Sequence, residues 1–266
     1  TNGLVKGREF VYFGNPLLYK VCEGATLNAF LYGALRDAAF LARVLGRDAQ
    51  HEQFKDAAAR LSQAINARLW DDTSGACLGS IQDGKTTPPT AHATMSCLYF
   101  GVVPEPRREA ARRWLLANYR KEGFYPYTHQ FLLEEIYRAD TGRADREALD
   151  LIRERWSPMA KGETGTVWEG FGPAENCHEA GAVPAYFLSA YVLGVRLDGP
   201  VGNRRLRIEP RLGGLRQAAG VVVTEHGPVP VSWTRQPDGT ALDFAFEVPG
   251  GIQAKLALPR LGENQE

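Results

Sequence analysis

Apolar residues recur at helical spacing from Ala25 to about Val195. A first helix is predicted from apolar positions three or four residues apart: Leu27, Phe30, Leu31, Ala34, Leu35, Ala38, Leu41 and Leu45. Gly46 ends this helix, and a second one runs from Asp48 to a polar turn at residues 70–75. The two segments together predict a helical hairpin.

Five further helices follow, separated by Gly, Pro or polar residues. They are predicted at 92–100, 105–119, 131–137, 145–156 and 179–193. The seven helices share no fixed repeat length, which argues against a solenoid of the TPR or HEAT type. Unequal hairpins can also be arranged as a toroid, in which short loops between inner helices build a central pocket.

After Gly194 the apolar spacing changes from helical to alternating. The alternating positions are Leu206 and Ile208, then Val229, Val231 and Trp233, then Leu242, Phe244, Phe246 and Val248, then Ile252, Ala254, Leu256 and Leu258. Turn residues stand at 237–239 and 249–251. The pattern predicts a mainly α chain with a small antiparallel β-sheet or sandwich at its C-terminus, divided into domains at 1–195 and 196–266.

Composition narrows the classes of function. The chain holds 31 Lys and Arg against 31 Asp and Glu and has no long basic run, so it lacks the electrostatic footprint of nucleic-acid or anionic-membrane binding. No segment reaches the roughly 20 apolar residues that a membrane helix needs. The chain begins at Thr1 without a signal segment, which favours a piece of a longer protein.

The cysteines do not fix the compartment. Cys22, Cys77, Cys97 and Cys177 form no C-x-x-C pair, and we expect them to be buried thiols. Their even number also permits disulfides, so a cytoplasmic and a secreted or periplasmic location are both compatible with the sequence.

A Gly-rich loop at residues 162–172 is the strongest candidate for chemistry. It places Trp168 beside Glu169. Sugar hydrolysis uses carboxylates around the anomeric carbon, and aromatic faces pack on the apolar C–H surfaces of sugar rings. The competing interpretation is a core tryptophan followed by a solvated glutamate.

Two histidines are candidates for the same chemistry. His178 follows Glu169 by nine residues and could donate to a sugar hydroxyl, or cap a helix. His129 ends an aromatic connection at 124–129 that includes Tyr127, and a core role for His129 is equally compatible with the sequence.

Glu134 and Glu135 are adjacent on a helix and are expected at its surface.

Other constellations are missing from the sequence. It contains no G-x-S-x-G, H-E-x-x-H, G-x-G-x-x-G or P-loop motif, and its histidines have no metal-ligand spacing. We therefore expect no metal and no cofactor. The paired arginines at 107–108 and 112–113 are expected on solvated faces.

Several motifs in a fixed order resemble one enzyme family. They are Thr166-Val167-Trp168-Glu169, Cys177-His178, and the segments 184–188, 191–195, 206–210 and 226–233, with weaker matches at 27–29, 91–93, 101–104, 126–127 and 132–134. This order is similar to the C-terminal part of the bacterial α-L-rhamnosidases. The resemblance implies a partial (α/α)6 six-hairpin toroid followed by a C-terminal β-sandwich.

The resemblance also implies roles for individual residues. Glu169 matches the family's general base, which activates water and inverts the anomeric carbon. His178 matches a rhamnose-binding histidine, Trp168 would be an aromatic wall, and Tyr127 and His129 would line the pocket. Asn15, in Phe13-Gly14-Asn15-Pro16, stands where the family has an Asp of an aromatic-x-Asp-Trp element. An Asn there can still hydrogen-bond sugar hydroxyls but carries no charge.

One essential part of the family's machinery is missing from this sequence. The Asp/Arg/Glu-rich motif that carries the general acid has no counterpart, and seven helices are too few for a complete toroid. We therefore expect an incomplete inverting glycosidase for terminal α-L-rhamnosyl residues. Its expected partners are a glycoside substrate and the upstream half of the toroid, from the same gene product or another chain. Without that half, the first helix would expose apolar area and the chain would self-associate.

Two alternatives remain beside this interpretation. The substitution at Asn15 and the missing acid also fit a non-catalytic carbohydrate-binding or assembly subunit. Another six-hairpin glycosidase is the third possibility, because a fold alone does not fix the sugar.

Overall fold

The computed structural model of the chain describes residues 2–8, 21–172, 177–199 and 202–259. It divides into two compact units, Thr1–Glu135 and Ile136–Glu266. The change from helices to strands falls within the second unit, after the π-helical turn Leu188–Val192. The predicted fold class, a mainly α chain with a C-terminal β region, is confirmed.

Seven α-helices are found in the described residues, as the apolar spacing predicts. They are α1 (Ala25–Val44), α2 (Asp48–Arg68), α3 (Ala91–Tyr99), α4 (Glu105–Asn118), α5 (His129–Tyr137), α6 (Gly142–Lys161) and α7 (Val183–Phe187). The last predicted helix, 179–193, is broken into a 3-10 turn (Glu179–Gly181), α7 and the π-helical turn. Pro184, in the first turn of α7, lacks the N–H that a continuous helix would need.

Twelve short strands accompany these helices in the described residues. They are β1 (Gly7–Arg8), β2 (Val21–Gly24), β3 (Trp70–Asp71), β4 (Ala76–Cys77), β5 (Ser80–Gln82), β6 (Lys85–Thr86), β7 (Val195–Leu197), β8 (Arg205–Ile208), β9 (Gln217–Thr224), β10 (Gly227–Arg235), β11 (Leu242–Phe246) and β12 (Gln253–Leu256). Strands β1 to β6 lie around the helices of the first unit and were not predicted from the sequence.

The first unit is organised around the hairpin of α1 and α2. Gly46 adopts φ +67° after α1, and the Arg47 N–H donates to the Ala42 carbonyl, which ends the helix as predicted. The predicted polar turn joins β3 to β4, where the Asp71 carboxylate accepts from the Ser74 N–H at 3.0 Å. Sheet order in this unit is β1-β2-β5-β6, with β3 and β4 paired separately.

Two predictions for this unit are wrong. Glu135 was expected on a helix surface, yet its side chain is fully buried and pairs with Arg112 at 3.2 Å. Arg112 was expected on a solvated face, but its own side chain is also largely buried. A buried carboxylate requires a cationic partner, and sequence spacing gives no sign of a pairing across 23 residues.

The second unit combines α6, α7 and two three-stranded sheets. The orders are β11-β10-β9 and β12-β8-β7, and all their strand pairs are antiparallel except β8 with β12, which is parallel. As predicted, Val229, Val231 and Trp233 of β10 point inward and are buried. The Trp233 indole also donates to the Val192 carbonyl at 2.9 Å, which joins the sheet to the π-helical turn within this unit.

Helix α6 is longer than predicted. Thr141 accepts from the Ala144 N–H at 3.1 Å and caps the helix, which begins at Gly142, three residues before the expected start. Pro158 lies inside its last turns. Trp156 and Met159 on its buried face pack against the candidate loop described below.

The cysteines are only partly as expected. Cys22, Cys77 and Cys97 are buried, whereas Cys177 is exposed and has φ +65°.

Among the described residues, no helix combines the length and the apolar character that a membrane crossing requires.

Candidate functional site

The Gly-rich loop follows α6 directly and is held against it by Trp168. This side chain is 8% exposed and packs with Trp156 and Met159. Val167 and Phe171 cover the same cluster from the loop. The loop therefore has an apolar anchor at Trp168, immediately before its carboxylate.

Glu169 follows this anchor in the chain and is itself half-buried. Within the described part of the chain it has no hydrogen-bond or ion-pair partner. A general base must be ionised and must have a lone pair free for water. Glu169 meets the second requirement among the described residues, in contrast to Glu135, whose carboxylate is paired with an arginine.

His178 lies on a neighbouring backbone segment in the same unit. Its N–H donates to the Val167 carbonyl at 2.9 Å, so the turn that begins at His178 is bonded to the loop that carries Glu169. The imidazole is 40% exposed. The backbone segments that carry Trp168, Glu169 and His178 are therefore bonded to each other, which the sequence order alone could not establish.

The tautomer of His178 follows from its capping bond. The Ala180 N–H donates to Nδ1 of His178 at 3.2 Å. A backbone N–H can only donate, so Nδ1 accepts and the neutral ring carries its proton on Nε2. Nε2 is therefore a donor, which suits a sugar hydroxyl oxygen.

His129 and Tyr127 belong to the first unit. His129 is 2% exposed, and its Nδ1 donates to the Tyr125 carbonyl at 2.8 Å, so its neutral ring has the opposite tautomer to His178. Tyr127 is half-buried and meets Phe131 edge-on at 5.8 Å. Burial raises the pKa of the Tyr127 phenol, and the nearby Tyr99 adds to the effect.

The remaining predicted site residue lies outside the described residues. Asn15 falls within 9–20, and the segment 173–176 before Cys177 is likewise outside them.

Among the described residues, no group of three or more His, Cys, Asp or Glu is arranged to hold a metal ion.

The buried pair of His92 and Glu122, next to the aromatic connection at 124–129, was not predicted from the sequence. The Glu122 carboxylate accepts from Nδ1 of His92 at 2.7 Å and from the Ala91 N–H at 2.6 Å, at the start of α3. Burial alone would raise the pKa of Glu122, but these hydrogen bonds hold it below its usual value. The His92 ring stacks on Phe124 at 4.1 Å. The partners are 30 residues apart, so no local motif signals them.

Two family models match the chain. The model of the mannosylglycerate hydrolase MGH1-like glycoside hydrolase domain matches residues 19–130. The model of the bacterial alpha-L-rhamnosidase C-terminal domain matches residues 194–266. No curated protein matches the chain in sequence.

Solved structures match nearly the whole chain. The GH78 family rhamnosidase of Bacillus sp. GL1 has a TM-score of 0.83 and 26% identity over 97% of this chain. The Streptomyces avermitilis α-L-rhamnosidase complexed with L-rhamnose has a TM-score of 0.73 and 22% identity over 96%. The α-L-rhamnosidase from Dictyoglumus thermophilum has a TM-score of 0.72 and 17% identity over 89%.

The match covers only part of each relative. The chain spans 28%, 25% and 27% of these three proteins, respectively. Similarity to the last two shows the fold alone, while the first also shares sequence along nearly the whole chain. With the C-terminal domain matched at 194–266, the chain resembles the C-terminal part of the bacterial α-L-rhamnosidase family over nearly its whole length.

Proposed function

We propose that this chain is the C-terminal part of a glycoside hydrolase that removes terminal α-L-rhamnosyl residues from glycosides or polysaccharides. The observation that carries the proposal is the half-buried Glu169, which has no partner among the described residues and whose loop is hydrogen-bonded to the His178 N–H through the Val167 carbonyl. The relatives with the same fold are rhamnosidases, and one was solved with L-rhamnose.

The proposed mechanism is a single displacement with inversion. Glu169 removes a proton from water as the water attacks the anomeric carbon, and a carboxylic acid protonates the leaving oxygen. The two carboxyl groups of an inverting pair stand roughly 6.5–9.5 Å apart to leave room for that water. We assign the acid to a segment that this sequence does not contain.

Substrate binding is assigned on the family resemblance. The proposed contacts come from Trp168, His178, His129, Tyr127 and Asn15. His178 would donate through Nε2 to a hydroxyl, in agreement with the tautomer set by Ala180. Trp168 has little exposed area, so an aromatic wall at this position would use only the rim of its ring.

The domain division of the proposal follows the change of secondary structure. Residues 1–195 are assigned to the toroid and 196–266 to the β-domain. The family match that begins at 194 and the first strand of the second sheet at Val195 support this division.

We also propose that upstream hairpins complete the toroid. Four apolar side chains near the end of α1, Phe40, Leu41, Val44 and Leu45, are 57% to 65% exposed. An exposed apolar stripe of this kind is typical of a surface that another element covers. The upstream half would supply both this cover and the general acid.

A glycosidase for a different sugar is the second candidate. The match of residues 19–130 to a mannosylglycerate hydrolase-like model favours it. The two candidates share the fold but differ in the sugar, so a comparison of sugars separates them.

The test uses a substrate that needs little acid assistance. Fluoride departs from α-L-rhamnosyl fluoride with little protonation, so a site with only its base should hydrolyse it. We expect β-L-rhamnose as the first product by proton NMR, and we expect Glu169→Gln to abolish the reaction. Glu163→Gln changes an exposed carboxylate of the same loop and should leave the rate unchanged.

Further measurements distinguish an incomplete enzyme from a binding module and test the role of Glu169. p-Nitrophenyl α-L-rhamnoside should react slowly, because loss of an acid or base typically costs about 10² to 10⁴ in rate. L-rhamnose bound in calorimetry without any turnover would indicate a binding-only module. Neither binding nor turnover, or turnover unaffected by Glu169→Gln, would refute the assigned role of Glu169.

A further inference from the structure

Two backbone segments of the second unit carry Glu169 and His178, and they are tied to each other by main-chain atoms. The His178 N–H donates to the Val167 carbonyl at 2.9 Å. The turn that starts at His178 is closed by the Gly181 N–H, which donates to the His178 carbonyl at 3.0 Å. The relative position of the two candidate groups therefore depends on how this turn is held.

Gly181 brings the turn into direct contact with the loop backbone. A Cβ at this position would lie 2.4 Å from the Trp168 carbonyl oxygen and 2.9 Å from the Trp168 nitrogen. Contacts this short with main-chain atoms force the backbone to move. Gly181 is not among the described glycines with positive φ, so the close approach, and not its own conformation, requires glycine here.

Trp156 fixes the same turn to α6. Its indole Nε1 donates to the Gly181 carbonyl at 2.7 Å, and both groups are buried. The ring also packs in one cluster with Trp168 and Met159. The 20-residue helix α6 therefore supports both segments. Trp156 holds the turn at Gly181 by a hydrogen bond and the loop at Trp168 by ring packing.

We infer that Trp156 and Gly181 are positioning residues that set the distance and orientation of Glu169 relative to His178. Neither is assigned a contact with the sugar. Their role in rhamnose recognition rests on the proposed function, whereas their effect on the His178 ring does not. The inference therefore has a readout that needs no substrate.

The first measurement is the tautomer of His178 by ¹⁵N NMR. In the unaltered chain we expect an unprotonated Nδ1 and a protonated Nε2, because the Ala180 N–H donates to Nδ1. Gly181→Ala displaces the turn, so both nitrogen signals should move towards the averaged values of two tautomers. Gly250→Ala adds the same methyl group where no atom lies within 4 Å and should leave the signals in place.

Trp156→Phe provides a second variant that removes the indole donor without adding an atom. It should move the His178 signals in the same direction as Gly181→Ala. If one variant loses its cooperative thermal transition, the other decides. Unchanged His178 signals in a folded variant would overturn the inference.

The second measurement is L-rhamnose binding by calorimetry. Both positioning variants should bind about twofold to tenfold more weakly, the loss expected for one displaced hydrogen bond between uncharged groups. Equal affinity in the unaltered chain and in a folded variant would overturn the positioning role. If the unaltered chain binds no rhamnose while the His178 signals respond as expected, the proposed function fails in this chain and the inference stands.

Discussion

Asp145 is a buried acid whose charge should cost stability at neutral pH. It lies in the first turn of α6, is 6% exposed, and its Oδ1 has no hydrogen-bond partner among the described residues. Oδ2 is 3.8 Å from the Arg211 guanidinium. Burial raises the pKa of the Asp145 carboxyl to about 6, because the attraction of Arg211 only partly offsets the loss of solvation.

The size and the sign of the effect follow from this shift. From 3.8 to about 6 is roughly two pKa units, which at ~1.4 kcal/mol each corresponds to about 3 kcal/mol. The folded state holds the proton more tightly than the unfolded state, so this contribution is fully present below pH 3.8. It is lost as the pH rises through about 6.

Asp145→Asn keeps the shape and removes the charge. We expect this variant to be up to about 3 kcal/mol more stable than the unaltered chain at pH 8, and nearly equal to it at pH 4. Urea unfolding followed by circular dichroism between these two pH values measures the difference. A constant difference across that range, or a loss of stability at pH 8, would refute this explanation.

Asp140→Asn is the matched control. Asp140 also pairs with Arg211, but its side chain is 74% exposed. A surface ion pair contributes about 0 to 1 kcal/mol, so the control should change stability little and without the same dependence on pH.

Three other variants test separate features of the first unit. Glu122→Gln should cost about 1 to 2 kcal/mol at pH 7, since the ionised carboxylate caps α3; because its folded pKa is lowered, the loss should shrink in urea unfolding as the pH falls below 4.5. Glu135→Ala should cost about 3 kcal/mol by the same assay, because Arg112 would keep a largely buried charge without this carboxylate; a loss under 1 kcal/mol would contradict the pairing. The unaltered chain should sediment partly as dimers or larger species and the Phe40→Ser, Val44→Ser double variant as a monomer, whereas a monomeric unaltered chain would count against a stripe that another element covers.

The elements predicted correctly are those with a strong apolar period. Helices α1 and α2 repeat apolar residues every three or four positions, and β10 alternates Val229, Val231 and Trp233 with less buried residues. Strand β9 was missed because it points small residues such as Ala218 and Gly220 inward, which weakens the alternation. Strands β1 to β6 are only two to four residues long and offer no period at all.

The candidate site, too, was only partly predictable from the sequence. The adjacency of Trp168 and Glu169 is visible in the sequence, because they are neighbours in the chain. The bond from His178 to Val167 joins residues 11 apart, and Glu122 reaches His92 across 30. Such pairings are decided by packing, so the sequence alone could not show them.

The contact at Gly181 has a consequence for how far the protein can diverge. A side chain there would strike the carbonyl and nitrogen of Trp168, atoms that every amino acid possesses. Replacing Trp168 or Val167 by any other residue would therefore make no room. We expect relatives that have changed the Thr-x-Trp-Glu loop, even to accept another sugar, to keep glycine at this position. A glycine three residues after the histidine would then identify this architecture in sequences too distant for the loop itself to be recognised.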